Sequence, residues 1–508
     1  DYAVTGVQTC ALPIWKPLMK NEELLRLLSN MGSQGRAESE EPDHLRRSFY
    51  AVPEQMRSLD PDVTLILGSR GAGKTSLFRA ISEFGLTGQL KLQFPKANIP
   101  ANARWIPLLL ADSTDIPPRE HLTEFFEDGE LTDTDAFVFW EGTLIRSLWE
   151  HLRPEDHDSC AALHDASGST VNGIVTASKA CRLVTSEALD RLDDRLIRDG
   201  QIFFVGYDDL DLLVKWTGKG ISSLMGYWAV RSRRWKGIRT KLFMRTDLYS
   251  RFGVGGGPDL AKIAANRITL SWTDQSLLGM LVKRMLNAGD IDLIREALQL
   301  TYGDLAGDDT IGWSLKNESP DELGRIITAL LGQYMGAGPK KGATQRWIIN
   351  HIKDCQDNAV PRFLVRLIES AAEKQLESRN EYSTILSPLF IREALSRISG
   401  EHVVASSDEW PWLPDFKSII QRSPKIQSIP FEKKVFETEI SKRWKDLWDN
   451  AHVAPCDDYR DFLRLLEECG IMRMRHDGRY ETTDLYLDGL GFRRKGGVKK
   501  RRRWFLVT

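Results

Sequence analysis

One segment dominates what this chain can fold into: Gly68-Ser69-Arg70-Gly71-Ala72-Gly73-Lys74-Thr75, preceded by the apolar run Val63-Thr-Leu-Ile-Leu67 and followed by Ser76-Leu-Phe-Arg-Ala-Ile81. An apolar β-type run, a glycine-rich turn ending in Gly-Lys-Thr and an amphipathic helical pattern define a strand–loop–helix unit. Its glycines let successive N–H groups turn inward around phosphate oxygens, and the helix that follows presents its positive end to the same point. Lys74 has the reach for β- and γ-phosphates, Thr75 can ligate Mg²⁺, and Ser69, Arg70, Ala72 and Ser76 supply the remaining backbone of the cradle. The segment therefore predicts binding of a nucleoside triphosphate within an α/β fold.

A phosphate loop needs a carboxylate at a neighbouring strand end to hold the metal and a second group to orient attacking water. The stretch Gln201-Ile-Phe-Phe-Val-Gly-Tyr-Asp208-Asp209-Leu-Asp211 has that form. Asp208 suits the metal role and Asp209 the water-orienting role, with Asp211 in support of either. Further apolar runs at 104–111, 240–245 and 266–272 alternate with helical patterns at 136–152 and 186–198, which predicts a mostly parallel sheet covered on both faces. About 130 residues separate Lys74 from Asp208, so an insertion is expected at about 113–185. Within it, Pro154 to Thr176 is polar and reads as a solvated loop, in which His157 and His164 need no metal.

At 508 residues the chain exceeds one core, so several domains are expected. A net charge of −2 makes no global case for nucleic-acid binding, so any such case has to be local. The six cysteines lack metal or C-x-x-C spacing, which fits a reduced, cytoplasmic setting. No apolar run approaches the ~18 residues of a membrane span. The fifteen tryptophans mostly sit in apolar patterns, Trp140 and Trp149 among them, and read as core.

The phosphate loop and the Asp208-Asp209-Leu210-Asp211 strand end together resemble P-loop ATPases of the AAA, STAND and KAP type, over roughly His44 to Leu376. That resemblance implies a P-loop NTPase with a mostly parallel sheet, followed by a helical lid, with ATP and Mg²⁺ as ligands and ATP hydrolysis as the reaction. It also implies further site residues. Asp247, beside Thr246, follows the strand Lys241–Arg245 where such ATPases carry a polar sensor. Arg267 opens the next strand as a candidate arginine finger inserted into a neighbouring subunit, with Arg251 as its competitor. Arg362, in Val360-Pro361-Arg362, resembles the lid arginine that reaches the nucleotide. A homo-oligomer in the ATP-bound state follows from a shared site. Aspartate stands at position 209 where many relatives have Glu, which implies slow turnover.

The C-terminal part closes with a helical pattern at 459–468, Gly470-Ile471, and two alternating stretches around Asp477-Gly478. This order resembles a winged helix-turn-helix domain. Beyond Asp488 no acid occurs, while Arg493, Arg494, Lys495 and Lys499 to Arg503 crowd the tail. Such segregated charge suits salt-dependent contact with duplex DNA; a winged helix also serves as a protein-interaction module. The expected divisions are a leader at 1–43 with a short helix at 21–30, the ATPase domain at 44–273, a helical lid at 274–380 and a helical plus winged-helix region at 381–508. Val4 to Ile14 resembles translated sequencing adapter. The alternative to a DNA-contacting ATPase is a STAND-type signalling switch with a protein partner at the C-terminus. Bacterial genome defence, replication or repair, and stress signalling all use this architecture.

Overall fold

The computed structural model describes residues 15–32, 40–109, 116–128, 130–164, 170–213, 218–250, 261, 263–309, 311–378, 380, 382–407, 410–447 and 454–495. The chain forms two compact units, one of Arg36–Trp272 and one of Asp1–Gly35 together with Thr273–Thr508.

The unit Arg36–Trp272 is built on a five-stranded sheet of β1 (Leu65–Gly68), β2 (Ala103–Leu109), β3 (Ile202–Asp208), β4 (Ile238–Arg245) and β5 (Arg267–Thr269), in the order β2-β3-β4-β1-β5. Every neighbouring pair is parallel. The order places β4 between the phosphate-loop strand and the acid-bearing strand. Pro107, which has no N–H to donate, lies in β2 at the sheet edge, where the ladder loses least from it. β1 is buried along its whole length, as a central parallel strand with both faces covered must be.

The helix Lys74–Ser82 packs on β3 through one exchange of volume. A Cβ on Gly206 would come 2.8 Å from Phe78 Cε2, so glycine there is what admits the Phe78 ring, which also meets Phe243 edge-on at 5.4 Å. The inserted region is more ordered than a solvated loop. Pro154–His164 and Val171–Ala180 are helices that pack with Asp133–Ser147 and Arg182–Arg198 over the β2–β3 side. The expectation of a polar loop at 154–176 is corrected accordingly. His157 and His164 stack on Trp149 at 4.6 and 4.3 Å, so a half-buried indole takes up two residues that a polar pattern suggests are solvated. Trp140, Trp228 and Trp235 are fully buried in the same core. The buried pair Glu141–Arg231 sits among them, its guanidinium over Phe137, Tyr227 and Trp235.

In the other unit, the helix Trp15–Leu28 packs on Pro361–Glu377 and buries Leu24, Leu25 and Leu28. The short helix expected at 21–30 starts earlier, at Trp15, and its leucines, recurring at helical spacing, supply core. The helices Asp274–Leu286, Ile291–Ala297, Pro320–Leu331, Thr344–His351 and Pro361–Glu377 form the helical region, interrupted by a small hairpin of β6 (Leu305–Ala306) and β7 (Ser314–Leu315). The helix Pro388–Ser406 lies against Asp484–Leu490, where a Cβ on Gly489 would meet Ser399 O at 2.2 Å.

The C-terminal elements have winged-helix order. Leu413–Arg422 and the short β8 (Ser428–Ile429) lead to β9 (Phe431–Glu432); Lys433–Ser441, Phe462–Glu468, β10 (Arg473–Met474) and β11 (Arg479–Glu481) follow. β9, β10 and β11 form an antiparallel sheet in the order β10-β11-β9. Phe416, Phe431, Phe436 and Phe462 interlock beneath it. The second alternating stretch ends sooner than the sequence suggests, because residues from Asp484 turn into helix; β12 (Arg493–Arg494) then pairs with β8. Among the described residues, no helix is long and apolar enough to cross a membrane.

Candidate nucleotide site

β1 ends at Gly68, and the chain turns through Gly71 and Gly73, whose φ values of 81° and 97° are open to glycine and strained for other residues. A Cβ on Gly68 would meet Ala72 Cβ at 3.1 Å, so this glycine allows the loop to close on itself. Trp272, three residues beyond the end of β5, donates from Nε1 to Ala72 O (2.8 Å) and pins the loop from outside. The helix Lys74–Ser82 then begins with its free N–H groups at the loop.

Lys74, Thr75 and Asp208 are brought together here. Lys74 Nζ donates to Gly68 O (3.0 Å) and Ser69 O (3.2 Å), the carbonyls of its own loop. Burial lowers its ammonium pKa, opposed by the charge of Asp208 and reinforced by Arg245. Asp208 is 2% exposed at the end of β3. Burial pushes its carboxyl up to about 6, against the pull of Lys74 and of the Thr75 hydroxyl that hydrogen-bonds it. Its Oδ2 is buried and takes no hydrogen bond from the protein. A buried carboxylate oxygen left over beside a threonine hydroxyl and a phosphate cradle fits Mg²⁺, a hard cation that takes one or two carboxylates and completes its shell with water and phosphate. Among the described residues no three His, Cys, Asp or Glu side chains converge as a metal site.

Asp209 follows immediately, half-exposed and left-handed at φ 53°. That conformation costs a non-glycine residue of order 1 kcal/mol and turns the chain out of the sheet just where a second carboxylate is wanted. Asp247 lies past the end of β4, but in a fork with Arg245: Arg245 Nη2 to Asp247 Oδ2 is 2.7 Å and Nε to Oδ1 is 3.1 Å. Arg245 is the residue that motif reading missed. It stands in register with Gly68, is 11% exposed, and lies 3.7 Å from Asp211 as well. The sequence signal was an arginine closing an otherwise apolar strand.

Arg267 is not brought to this loop. It is exposed at the start of β5, in register with Leu65 rather than with the Gly68 end of β1, and its Nη1 donates to Ala264 O (2.8 Å). Arg362 is the second residue of Pro361–Glu377 in the other unit. Arg251 lies outside the described residues, as do Val4 to Ile14 and Lys499 to Arg503.

At the C-terminus, the helix Phe462–Glu468 precedes the wing, and its exposed side is acidic in balance: Arg464 pairs with Asp461 and Glu468. Arg473, Arg475 and Arg479 of the wing likewise face Glu481 and Asp477.

No protein-family model matches the chain, and no curated protein matches it. Solved structures with partial likeness include the ORC2 protein of Aeropyrum pernix in ADPNP–ADP complexes, at 10% identity and a TM-score of 0.38 over 94% of this chain and 93% of that one. The ORC1 protein of Aeropyrum pernix in complex with DNA aligns at 14% identity and 0.37 over 88% and 94%. A Walker-type ATPase of Pyrococcus abyssi aligns at 14% and 0.37 over 91% and 99%. The assignment of the fold as a P-loop NTPase α/β unit, with a helical region and a winged helix in the same chain, rests on the sheet order, the phosphate loop and the β10-β11-β9 sheet.

Proposed function

We propose that this protein binds ATP with Mg²⁺ and hydrolyses it slowly, using nucleotide state to change its domain arrangement or assembly. The observation that carries the reading is the convergence of Lys74, Thr75 and the buried, unpartnered Asp208 Oδ2 at the strand ends beside a glycine cradle. In this reading the N–H groups of residues 69–76 bind the phosphates. Lys74 leaves its carbonyl partners for the β- and γ-phosphates, while Thr75 and Asp208 hold Mg²⁺, which when bound neutralises phosphate charge. Asp209 orients the attacking water. Arg245 and Asp247 form a paired reporter at the γ-phosphate side, Arg362 serves as the lid arginine, and Arg267 acts on a neighbouring copy in a homo-oligomer. The winged helix and basic tail contact duplex DNA.

The test is equilibrium binding of a fluorescent ATP analogue with and without Mg²⁺. Lys74→Ala is expected to weaken binding at least about a hundredfold, in line with loss of a buried charge-assisted contact. Asp208→Asn is expected to remove the Mg²⁺ dependence while leaving metal-free binding in place. Mg²⁺-dependent binding that survives both changes would overturn the site.

A second reading has its own support. The acidic exposed side of Phe462–Glu468 and the internally paired wing arginines favour a protein partner over a phosphate backbone. Lys74 tied to its own loop and Asp247 held by Arg245 favour long-lived nucleotide states. This is the STAND-type switch.

A further inference from the structure

At the end of the sheet opposite the phosphate loop, where β2 and β3 begin, the surface opens into a cavity of about 370 Å³. Arg104 and Arg195 line it together with His151, Asn102, Gln201 and Phe203. Arg104 and Phe203 are register partners across β2 and β3, and the guanidinium lies 6.0 Å from the Phe203 ring centre. Arg104 makes no ion pair with an acid among the described residues. Arg195 comes from the helix Arg182–Arg198, and its Nη2 donates to the backbone carbonyl of His151, which fixes the side chain without neutralising it. The His151 ring packs edge-on against Phe203 at 4.9 Å. Burial, followed by the charge of Arg104, holds its pKa below the usual value; Glu150 opposes them and Arg195 adds to them.

Two guanidiniums without carboxylate partners, converging on one concave site with a histidine and two carboxamides, form a set of donors in want of an acceptor. Elsewhere in this unit comparable arginines are matched: Arg191 with Asp156, Arg231 with Glu141, Arg239 with Asp62. We infer that this cavity binds a small phosphate-bearing molecule, separately from the phosphate loop. Planar guanidinium forks match phosphate oxygens in pairs, Asn102 and Gln201 offer N–H groups to the rest of the anion, and Phe203 supplies an apolar wall for the organic part. A surface cavity of this size fits a compact phosphorylated ligand better than a polymer backbone. The site lies roughly 16 Å along β3 from Asp208, the length of five strand residues, so one molecule of this size does not occupy both.

The experiment is calorimetric titration of pyrophosphate, and in a parallel arm AMP, into the full chain at constant ionic strength, with the phosphate loop first saturated by a Mg²⁺-bound non-hydrolysable ATP analogue. One further saturable event is expected. Arg104→Gln and Arg195→Gln should each weaken it by about tenfold or more, as for a lost charge-assisted bond, and Arg195→Lys should restore part of the loss. A stronger event with AMP assigns a nucleoside-type ligand, and a stronger one with pyrophosphate assigns a polyphosphate. Absence of a second event up to about 10 mM of both probes, a regime weaker than about 3 kcal/mol of binding, would overturn the inference. So would an event that Arg104→Gln, whose exposed side chain is removable without loss of core, leaves unchanged.

Discussion

Asp208 and Asp209 are neighbours in sequence and opposites in setting. Asp208 closes β3, buried, with its Oδ2 unpartnered. Asp209 is half-exposed and left-handed, released from the strand. A group that orients water has to reach solvent, and a group that anchors metal has to stay still, and the division of roles proposed for these two residues rests on that difference. Asp209→Asn is accordingly expected to keep ATP affinity within about threefold while lowering the steady-state rate by about a hundredfold, the scale of a lost general base. Filter binding and phosphate release measure the two, and an unchanged rate would remove Asp209 from the role. The phosphate-loop residues were legible because their chemistry is local: glycines, a lysine and a threonine at fixed spacing act through adjacent backbone. Arg245 was not legible in that way. Its place opposite Gly68 comes from the insertion of β4 beside β1, a pairing between residues far apart in the chain.

At the scale of elements, small residues mark where two elements approach closely. Gly206 does so for the phosphate-loop helix: Gly206→Ala would drive a methyl group to within 2.8 Å of Phe78. Overpacking of this kind costs about 1–3 kcal/mol, so the thermal midpoint of unfolding should fall by several degrees, and nucleotide affinity should fall with it as Lys74–Ser82 shifts. A second element-level device is ionic. Glu369, buried in Pro361–Glu377 and bonded to Arg366 (3.1 Å), has its carboxyl raised from 4.5 to about 7, chiefly by burial. Because its pKa is higher folded than unfolded, the folded state binds more protons between pH 4.5 and 7, and this group's contribution to stability is lost as pH rises through that window. In urea unfolding followed from pH 5 to 8, Glu369→Gln should flatten the decline by about 1–3 kcal/mol. A pH profile identical to that of the unsubstituted protein would exclude Glu369 as its source. Helices and strands with clear apolar periods were readable in advance. The helix Pro154–His164 was not, because its stability comes from packing, Trp149 between two histidines among it, and not from an amphipathic pattern. Val171–Ala180 does bury Val171, Ile174, Val175 and Ser178 along one face, but ten residues beside a Gly- and His-rich stretch give too short a period to stand out.

At the scale of the whole molecule, the proposed DNA contact at the C-terminus is tested by its salt dependence. If duplex DNA is the partner, binding at low salt should weaken steeply as salt rises, with log K falling by about 0.9 per phosphate contact in log salt, and deletion of Lys499 to Arg503 should reduce that slope. No binding at low salt would send the function to the switch reading, to which the acid-balanced helix Phe462–Glu468 already leans. The amino-acid order alone decided that the chain carries a phosphate loop, an acidic strand end, an α/β sheet and a basic C-terminus, because each is a short-range pattern with a chemical meaning in itself. Folding decided the rest. It placed Arg245 beside Gly68, left Asp208 Oδ2 without a protein partner, set Arg267 at the far end of β5, and gathered Arg104, Arg195 and His151 around one cavity. These are consequences of strand order and register, which depend on how apolar faces from distant segments are buried together and which no local spacing encodes.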